Sequence, residues 1–394
     1  MQLDYYLLEY LFYCPDGLSL NRYYVAVTNY KLFCQGTLGY LFAACDTTTI
    51  IIIMLLFPAL ISLYITPVLS KSCYDLFSSY NASNGFFDQF EFEVVDDPTH
   101  GYVDYVDYNV AIEYGLVNYT DKGQIYIGVD HNDVVSSNAR GRKSVRLKSK
   151  EVINGNTLLV LNVDHMPSTT GNSMAKGCSI WPAFWTFGSD WPYNGEIDII
   201  EYVNDDSVVA STLHTDFGCD QSGEDTDSFT GSWGLSSISG QPSTNCDVNA
   251  VGQDTNAGCG IQGTEGVEPV GAAFNSGTGG VYVTEWDSSK EIRMFYFPRD
   301  SIPSDLQSGS PNPDGWGNPY ARFEVSPDSS SCPSSHFQDH NIIFDTTFCG
   351  DWAGNTFPYS CSSSISCVDF VKNNPAEFAE SYWLVNSVDI YSAC

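Results

Sequence analysis

Short runs in which hydrophobic and polar residues alternate follow one another from about residue 84 to the C-terminus. In Ser144–Ser149, for example, Val145 and Leu147 stand between polar neighbours. A repeat of two residues is that of a β-strand with one buried face. Loops rich in Gly, Ser, Asn and Pro separate the runs, and the longest cover 217–280 and 300–335. The other predicted strands lie at 124–129, 157–163, 281–286, 292–297, 342–346 and 385–391.

Many short strands without alternating helices favour an all-β sandwich over a parallel sheet. One short helix is predicted at 368–379, with an interruption at Pro375. The composition agrees, because 33 glycines, 14% aromatic residues and only 16% charged residues are typical of β-sheet proteins. The roughly 320 residues after residue 70 are within reach of one large domain. We therefore predict a β-sandwich domain at 71–394 after an N-terminal extension at 1–70.

The extension contains an uncharged stretch of twenty residues, Ile50–Leu69. Such a stretch is long enough to cross a bilayer as one helix. Alternatively, Met54 begins a secretory signal peptide with cleavage near Ser70 or Ser72. The signal lacks a basic N-terminal region, and the membrane span lacks a basic cytoplasmic flank. We favour the signal, and under either interpretation the domain that follows is exported.

The thirteen cysteines divide into three before residue 70 and ten after it. An even number spread through a Gly- and Ser-rich domain predicts disulfides and an oxidising compartment. The pairing cannot be read from the spacing, although Cys246 with Cys259 and Cys361 with Cys367 would close the shortest loops. We therefore expect a secreted protein, or a membrane-anchored one if residues 50–69 are retained.

The formal net charge of −32 argues against nucleic acid and anionic membrane surfaces as partners. It is compatible with a soluble monomer that acts on a neutral polymer. Asn81 and Asn118 each begin a glycosylation sequon, as expected of an exported domain.

The segment Glu196-Ile-Asp-Ile-Ile-Glu201 sets three carboxylates among isoleucines, which favour an extended strand. In a strand Glu196 and Asp198 point the same way, whereas Glu201, five residues on from Glu196, points to the opposite face. One extra residue in a β-bulge restores Glu201 to the shared face, and the doubled Ile199–Ile200 is where we place it. Three acids in a row are costly in a core and useful in a cleft.

Glycoside hydrolysis is the chemistry that uses such a row. A retaining glycosidase needs one carboxylate as nucleophile and one protonated carboxyl as general acid, about 5–5.5 Å apart. A third acid between them can hydrogen-bond the nucleophile and help to keep one proton in the site near neutral pH. The alternative is a solvated acidic strand edge in a very acidic protein.

Around these acids the chain resembles glycoside hydrolase family 16, and the five-residue spacing is that of its laminarinase branch. Several further stretches resemble the fungal endo-β-1,3(4)-glucanases of that family, and the resemblance covers about Tyr74 to Tyr391. These stretches are Trp181–Trp185, Trp191–Pro192, Asp97–Gly101, Gly141–Arg146, Thr212–His214, Phe297–Arg299 and Phe348–Gly354. The resemblance implies a jelly-roll sandwich of two antiparallel sheets with a substrate cleft on the concave face.

The resemblance also implies roles for the three acids. Glu196 is expected to be the nucleophile, Asp198 its helper, and Glu201 the general acid and then base. Neither step needs a metal or another cofactor. The expected partner is a β-glucan polysaccharide.

Four tryptophans and two basic residues complete the candidate cleft. Flat indoles can stack on the C–H faces of pyranose rings, although core packing is the usual alternative for a tryptophan. By the resemblance, His214 and Arg142 also match sugar-contacting positions, whereas Arg146 is interpreted as strand surface. By the resemblance, Trp185, Trp191 and Trp352 match cleft positions, whereas for Trp181 core packing is an equal alternative.

Other interpretations remain open at this point. A cell-wall transglycosylase would use the same chemistry with a sugar hydroxyl in place of water. A non-catalytic β-glucan-binding protein would be expected to lack one of the three acids, and all three are present. His336 and His340 have the spacing of a helical zinc pair but lead directly into a predicted strand. Asp130–Asp133 resembles either a calcium loop or a solvated turn, and we favour the turn.

Overall fold

The computed structural model describes residues 74–394. The predicted signal peptide or membrane span at 50–69 lies outside them. Among the described residues, no helix combines the length and the apolar character that crossing a bilayer requires.

Eighteen strands follow one another along the described residues. They are β1 (Tyr74–Asn81), β2 (Phe90–Phe92), β3 (Val103–Tyr105), β4 (Val117–Tyr119), β5 (Ile125–Gly128), β6 (Arg142–Ser144), β7 (Arg146–Ile153), β8 (Thr157–His165), β9 (Ile180–Gly188), β10 (Glu196–Glu201), β11 (Ala210–His214), β12 (Ser232–Trp233), β13 (Cys259–Gln262), β14 (Gly280–Asp287), β15 (Glu291–Pro298), β16 (Ala321–Glu324), β17 (His340–Phe348) and β18 (Tyr382–Ala393).

The helices between these strands are short. They are α1 (Tyr108–Glu113), α2 (Gly271–Asn275), α3 (Ser304–Gln307), α4 (Asn355–Ser360) and α5 (Cys367–Asn373), with a π-helical turn at Gly350–Gly354 before α4. The predicted helix at 368–379 is confirmed as α5 followed by a 3₁₀ turn, Pro375–Glu380. The interruption lies at Pro375, as expected from the missing N–H of proline.

Two eight-stranded antiparallel sheets form the sandwich. Sheet A has the order β12-β13-β11-β10-β9-β17-β7-β2. Sheet B has the order β4-β5-β18-β8-β14-β15-β16, and β1 also pairs with β18. Neighbours in these orders are often far apart in sequence, which is the pattern of a jelly roll. The predicted all-β jelly-roll sandwich is confirmed.

Sheet A and sheet B pack through one continuous apolar core. Phe184, Ile197 and Phe344 of sheet A and Leu161 and Trp383 of sheet B are each at most 1% exposed and belong to the same cluster. Burial of side chains of this size contributes about 1.5–3 kcal/mol each. The core therefore holds one face of sheet A firmly, and the opposite face is free to carry polar groups.

The run predicted as one strand at 144–149 is divided in the structure. β6 ends at Ser144 and pairs in parallel with β3 in a separate two-stranded sheet. β7 begins at Arg146 and joins sheet A. The remaining predicted strands are confirmed as β5, β8, β14, β15, β17 and β18, each with slightly different bounds.

Four disulfides are formed within the described residues. The pair Cys246–Cys259 closes the shortest loop, and only two of the other three connect distant segments. Cys361 and Cys367, close in sequence, bond to different partners. The three remaining pairs are Cys178–Cys361, Cys219–Cys332 and Cys349–Cys367.

Candidate active site

The bulge predicted in β10 is present. Opposite β9, Ile200 faces Phe184 and Asp198 faces Trp185, so Ile199 has no partner on that strand. Opposite β11, three steps from Asp198 to Glu201 span only the two from Thr212 to Ala210. One extra residue in β10 therefore turns Glu201 to the side of the other two acids.

The three isoleucines of β10 determine which face of the strand points into the core and which points outward. Ile197, Ile199 and Ile200 are each at most 1% exposed and lie in the core. With the isoleucines facing inward, Glu196, Asp198 and Glu201 are left on the outer face of sheet A. The sequence folds this way locally because burying three isoleucines is favourable, whereas burying an unpaired carboxylate is costly.

Residues on the neighbouring strands surround the acids. Phe187 of β9 and His214 of β11 lie directly opposite Glu196, and Trp185 lies opposite Asp198. The His214 Nε2 atom is 3.2 Å from Asp198 Oδ2. That contact is an ion-pair distance without hydrogen-bond alignment, because Oδ2 has no hydrogen-bond partner. Glu196, Asp198 and His214 each place a polar atom within 4.8 Å of the others.

The two outer acids are held by different indoles. Trp181 Nε1 donates a hydrogen bond of 2.6 Å to Glu201 Oε1. The Trp191 indole lies beside Glu196 and favours its ionised form, whereas burial and the neighbouring Asp198 raise the pKa of Glu196. Repulsion between two adjacent carboxylates favours keeping a proton on the pair.

Burial controls the protonation of all three acids. It raises the pKa of Glu196 to about 8, and the charge of nearby Asp198 adds to the rise. It likewise raises the pKa of Asp198 to about 8. For Glu201, burial and then the charge of Asp198 raise the pKa well above its ordinary range. At neutral pH this burial favours the protonated form of Glu201, which is the form that a general acid needs.

The structure brings all four candidate tryptophans to this face. Trp191 is 41% exposed beside Glu196, and Trp185 is partly exposed beside Asp198. Trp181 and Trp352 meet edge to face, with ring centroids 5.6 Å apart, beside Glu201. Aromatic surface therefore flanks the acids at both ends of β10.

Arg142 is not brought to the acids. It is fully buried, and its Nη1 atom donates to the backbone oxygens of Asp130 and Asp133 at 2.8 and 3.2 Å. Its Nε atom donates to the Val371 oxygen at 3.1 Å, and the guanidinium lies 4.7 Å from the Phe378 ring centre. Through these contacts Arg142 connects the loop at Asp130–Asp133 to α5. Its assignment as a sugar contact is therefore not retained.

Arg146, interpreted from the sequence as strand surface, lies instead in the candidate site. Its guanidinium is 4.8 Å from the Trp185 ring centre, and its Nη1 atom is 2.9 Å from Asp345 Oδ2. Its Nε atom donates to Glu93 Oε2 at 2.9 Å. Burial raises the pKa of Asp345 to about 7, against the effects of Arg146 and of the Trp185 indole.

Sequence reasoning had a partial signal for Arg146 and none for Asp345. The alternation places Arg146 and Lys148 on one face of β7. Which face meets Trp185 depends on the pairing of β7 with β17 and of β17 with β9, where Asp345 lies opposite both Arg146 and Ala183. That pairing joins segments nearly 200 residues apart.

His336 and His340, which have the spacing of a zinc pair, contact different partners. His336 Nδ1 is 2.8 Å from Asp216 Oδ1. His340 is buried at the start of β17, where its nitrogens lie 2.8 Å from Thr186 Oγ1 and 2.7 Å from the Asn194 oxygen. Burial lowers the pKa of His340 to about 4, so its imidazole is neutral near neutral pH. Asp130, buried and in contact with Arg142, caps a turn through its Oδ1 atom.

Fungal glucanases are among the proteins that this chain resembles in sequence. It is 39% identical over 327 residues to an endo-1,3(4)-beta-glucanase of Arthroderma benhamiae, a match that covers 82% of this chain and 66% of that protein. It is 40% identical over 325 residues to a probable glycosidase of Schizosaccharomyces pombe, with 82% and 71% covered. Against a probable endo-1,3(4)-beta-glucanase of Aspergillus fumigatus, the identity is 39%, and the match covers 81% of this chain but 45% of the relative.

Solved structures agree with this relationship. Laminarinase 16A of Phanerochaete chrysosporium, solved with β-glucans in donor and acceptor sites, is 37% identical with a TM-score of 0.70. That match covers 82% of this chain and all of the other. An elongating family 16 β-1,3-glucosyltransferase is 37% identical with a TM-score of 0.69, and covers 81% of this chain and all of its own.

A family model described as "XgeA-like, catalytic GH16 domain" matches residues 90–391. The matched region contains β10 with its three acids and all four candidate tryptophans. The chain therefore belongs to glycoside hydrolase family 16.

Proposed function

We propose that this protein is a retaining endo-β-glucanase that hydrolyses β-1,3 bonds, and also β-1,3/1,4 mixed-linkage glucan. The observation that carries the proposal is the bulged strand β10, which sets Glu196, Asp198 and Glu201 on one face between exposed indoles. The printed activities of the fungal relatives and the glucans bound by laminarinase 16A support a β-glucan as substrate.

In the first step, the Glu196 carboxylate attacks the anomeric carbon. The glycosidic bond breaks, its electron pair remains on the leaving oxygen, and the proton of Glu201 passes to that oxygen. The raised pKa of Glu201 supplies the proton at neutral pH. Glu196 attacks as the carboxylate, and Asp198, its neighbour on the same face of β10, takes up the proton that Glu196 gives up.

In the second step, Glu201, now ionised, takes a proton from water. The resulting hydroxide attacks the anomeric carbon of the glycosyl ester, and Glu196 leaves as a carboxylate. Two displacements at the same carbon retain the β-configuration. The hydrogen bond from Trp181 stabilises Glu201 in this ionised form.

The remaining residues bind and orient the chain. Trp185, Trp191 and Trp352 offer partly exposed ring faces for glucosyl units, and Trp181 combines an aromatic edge with its bond to Glu201. His214, 3.2 Å from Asp198, is placed to bond a sugar hydroxyl near the nucleophile. No metal or cofactor takes part in this proposal.

A transglycosylase is the second candidate, because one of the similar structures is an elongating glucosyltransferase. The first step would be identical, and a sugar hydroxyl would replace water in the second. Product sizing with and without added laminari-oligosaccharide separates the two, since only transfer lengthens chains.

Glu196→Ala tests the proposal directly. Loss of the nucleophile should lower kcat on laminarin on the order of 10⁴-fold or more. Binding to insoluble β-1,3-glucan should persist, because the indoles are unchanged. A Glu196→Ala protein that folds and still cleaves laminarin at the wild-type rate would refute the proposal. A panel of laminarin, lichenan, cellulose and xyloglucan would establish the linkage preference.

We further propose that the protein is exported. Four disulfides within residues 74–394 are compatible with an oxidising compartment. Asn118 is exposed on β4, where a glycan could be attached. N-terminal sequencing of secreted material would show where the mature chain begins, and mass spectrometry would show whether Asn118 is glycosylated.

A further inference from the structure

Beside the Glu196 end of β10, the surface contains a groove of about 390 Å³. Trp191 and Tyr193, in the segment that leads into β10, line this groove. Phe217, Val248 and Asn249, in the long loop region that follows β11, line it as well. Of these residues, only Trp191 is predicted from the sequence to bind substrate.

Three aromatic side chains in the groove are exposed to an unusual degree. Phe217 is 84% exposed, Tyr193 is 60% exposed and Trp191 is 41% exposed. A phenylalanine ring at that exposure adds almost nothing to the core. Neighbouring exposed aromatic rings around a groove are typical of a binding surface rather than of structural packing.

The loop that carries Phe217 is held in place on both sides. Asp216 pairs with His336 at 2.8 Å, and Cys219 is bonded to Cys332. The Thr215 N–H donates to the Cys246 oxygen at 2.8 Å, which attaches the loop to the segment that carries Val248 and Asn249. Phe217 is therefore presented by a preorganised loop, so binding there would cost little ordering entropy.

The polar groups of the groove indicate the chemistry of its ligand. Two carboxylates, two amides and a hydroxyl line it, and no Lys or Arg is among the described lining residues. Such a lining disfavours an anionic ligand and suits a neutral one with many hydroxyl groups. The polar lining residues are Asp216, Asp247, Asn249, Thr255 and Asn256.

Trp191 joins the groove to the catalytic acids. Its indole lies beside Glu196, five residues further along the chain, and its ring lines the groove. A glucan chain seated at Glu196 would therefore continue into the groove without leaving aromatic surface. We propose that the groove is an additional binding site for glucosyl units of the same β-glucan chain, with Phe217 and Tyr193 as stacking surfaces. This inference rests on the proposed function.

The test is the dependence of kcat/KM on the chain length of reduced laminari-oligosaccharides, from trimer to heptamer. An aromatic contact is worth about 0.5–1.5 kcal/mol, which corresponds to about a 2- to 12-fold change. Phe217→Ala should lower kcat/KM by that factor on the longest oligomers and leave the shortest cleaved oligomer within about twofold. Phe217→Trp, which keeps an aromatic ring, should show the wild-type dependence of kcat/KM on chain length.

Phe77→Ala is the matched control, because Phe77 is also an exposed ring, at 62%, on β1 of sheet B. Phe77→Ala should leave kcat/KM unchanged for oligosaccharides of every length. Because Phe217 is exposed, its alanine variant should also keep the wild-type thermal midpoint. A Phe217→Ala enzyme with unchanged kcat/KM at every length, or with an equal loss at every length, would overturn the groove assignment and leave the proposed function intact. A wild-type protein that cleaves no β-glucan would overturn both.

Discussion

Removal of the hydrogen bond from Trp181 to Glu201 should shift the pH dependence of kcat/KM. Trp181→Phe removes the N–H donor and keeps an aromatic ring beside Trp352. In the wild type, this bond stabilises the ionised form of Glu201 and therefore lowers the pKa of Glu201, against the effect of burial. Without the bond, Glu201 should keep its proton to higher pH.

The size of the effect follows from the energy of one bond. A hydrogen bond to a charged group contributes about 1.5–3 kcal/mol. Trp181 is partly exposed, so water can replace some of that interaction, and the lower value applies. Since 1.36 kcal/mol corresponds to one pH unit, the alkaline limb of the kcat/KM profile should move up by about one pH unit.

The assay is kcat/KM on one soluble laminari-oligosaccharide between pH 4 and pH 10. Trp316→Phe is the matched control, because Trp316 Nε1 also bonds a carboxylate, that of Asp305, at 3.0 and 3.1 Å. Its profile should coincide with that of the wild type. A Trp181→Phe profile that coincides with the wild type, or that moves to lower pH, would refute the assignment of Glu201 as the general acid held by Trp181.

Two further predictions concern stability. The folded pKa of Glu196, about 8, lies above its ordinary value of 4.5, so its contribution to stability is present below about pH 4.5 and is lost as the pH rises towards 8. Glu196→Gln should therefore gain stability relative to the wild type between pH 4.5 and pH 8, by at most about 5 kcal/mol in urea unfolding. A variant whose stability has the same pH dependence as that of the wild type, or the opposite one, would contradict this. Arg142→Gln should lower the free energy of unfolding by about 2–4 kcal/mol, because buried carbonyl groups lose their donors, while KM stays within twofold of the wild type. A large rise in KM without loss of stability would contradict this structural role and indicate that Arg142 contacts the substrate.

The bulge in β10 could be predicted because its cause is local. Two adjacent isoleucines between Asp198 and Glu201 cannot both face the core in a regular strand, and one extra residue resolves the conflict. Six further strands, β5, β8, β14, β15, β17 and β18, were also predictable from their local pattern of apolar and polar residues. The jelly-roll order of those strands came from the resemblance, since alternation does not reveal which strands pair.

Contacts between distant segments explain what the sequence did not reveal. Arg142 lies just before the predicted run Ser144–Ser149 and Arg146 lies within it. The strand divides at Val145, so that Arg142 points into the interior and Arg146 contacts Trp185. The disulfides have the same origin, because Cys361 finds Cys178 across 183 residues rather than its near neighbour. Phe217 belongs to a long loop without periodicity, where no pattern distinguishes a binding ring from an ordinary one.

The stability of sheet A and the reactivity of its outer face are linked. Raised pKa values for Glu196 and Asp198 mean that ionising these acids works against folding at alkaline pH. The isoleucines beneath them, each at most 1% exposed, offset this cost through the core. The same strand thus provides both the apolar anchor and the strained electrostatics that acid–base catalysis requires.

The central claim is that the bulge lets Glu196 and Glu201 act on one glycosidic bond in different roles. A 2-deoxy-2-fluoro-laminaribiosyl fluoride tests it most directly, because the fluorine at C2 slows both steps while the good leaving group allows the first. Peptide mass mapping of the inactivated protein should find the sugar ester on Glu196 alone, with no ester in Glu196→Ala. An ester on Asp198 or Glu201, or no ester from a protein that cleaves laminarin, would contradict the account.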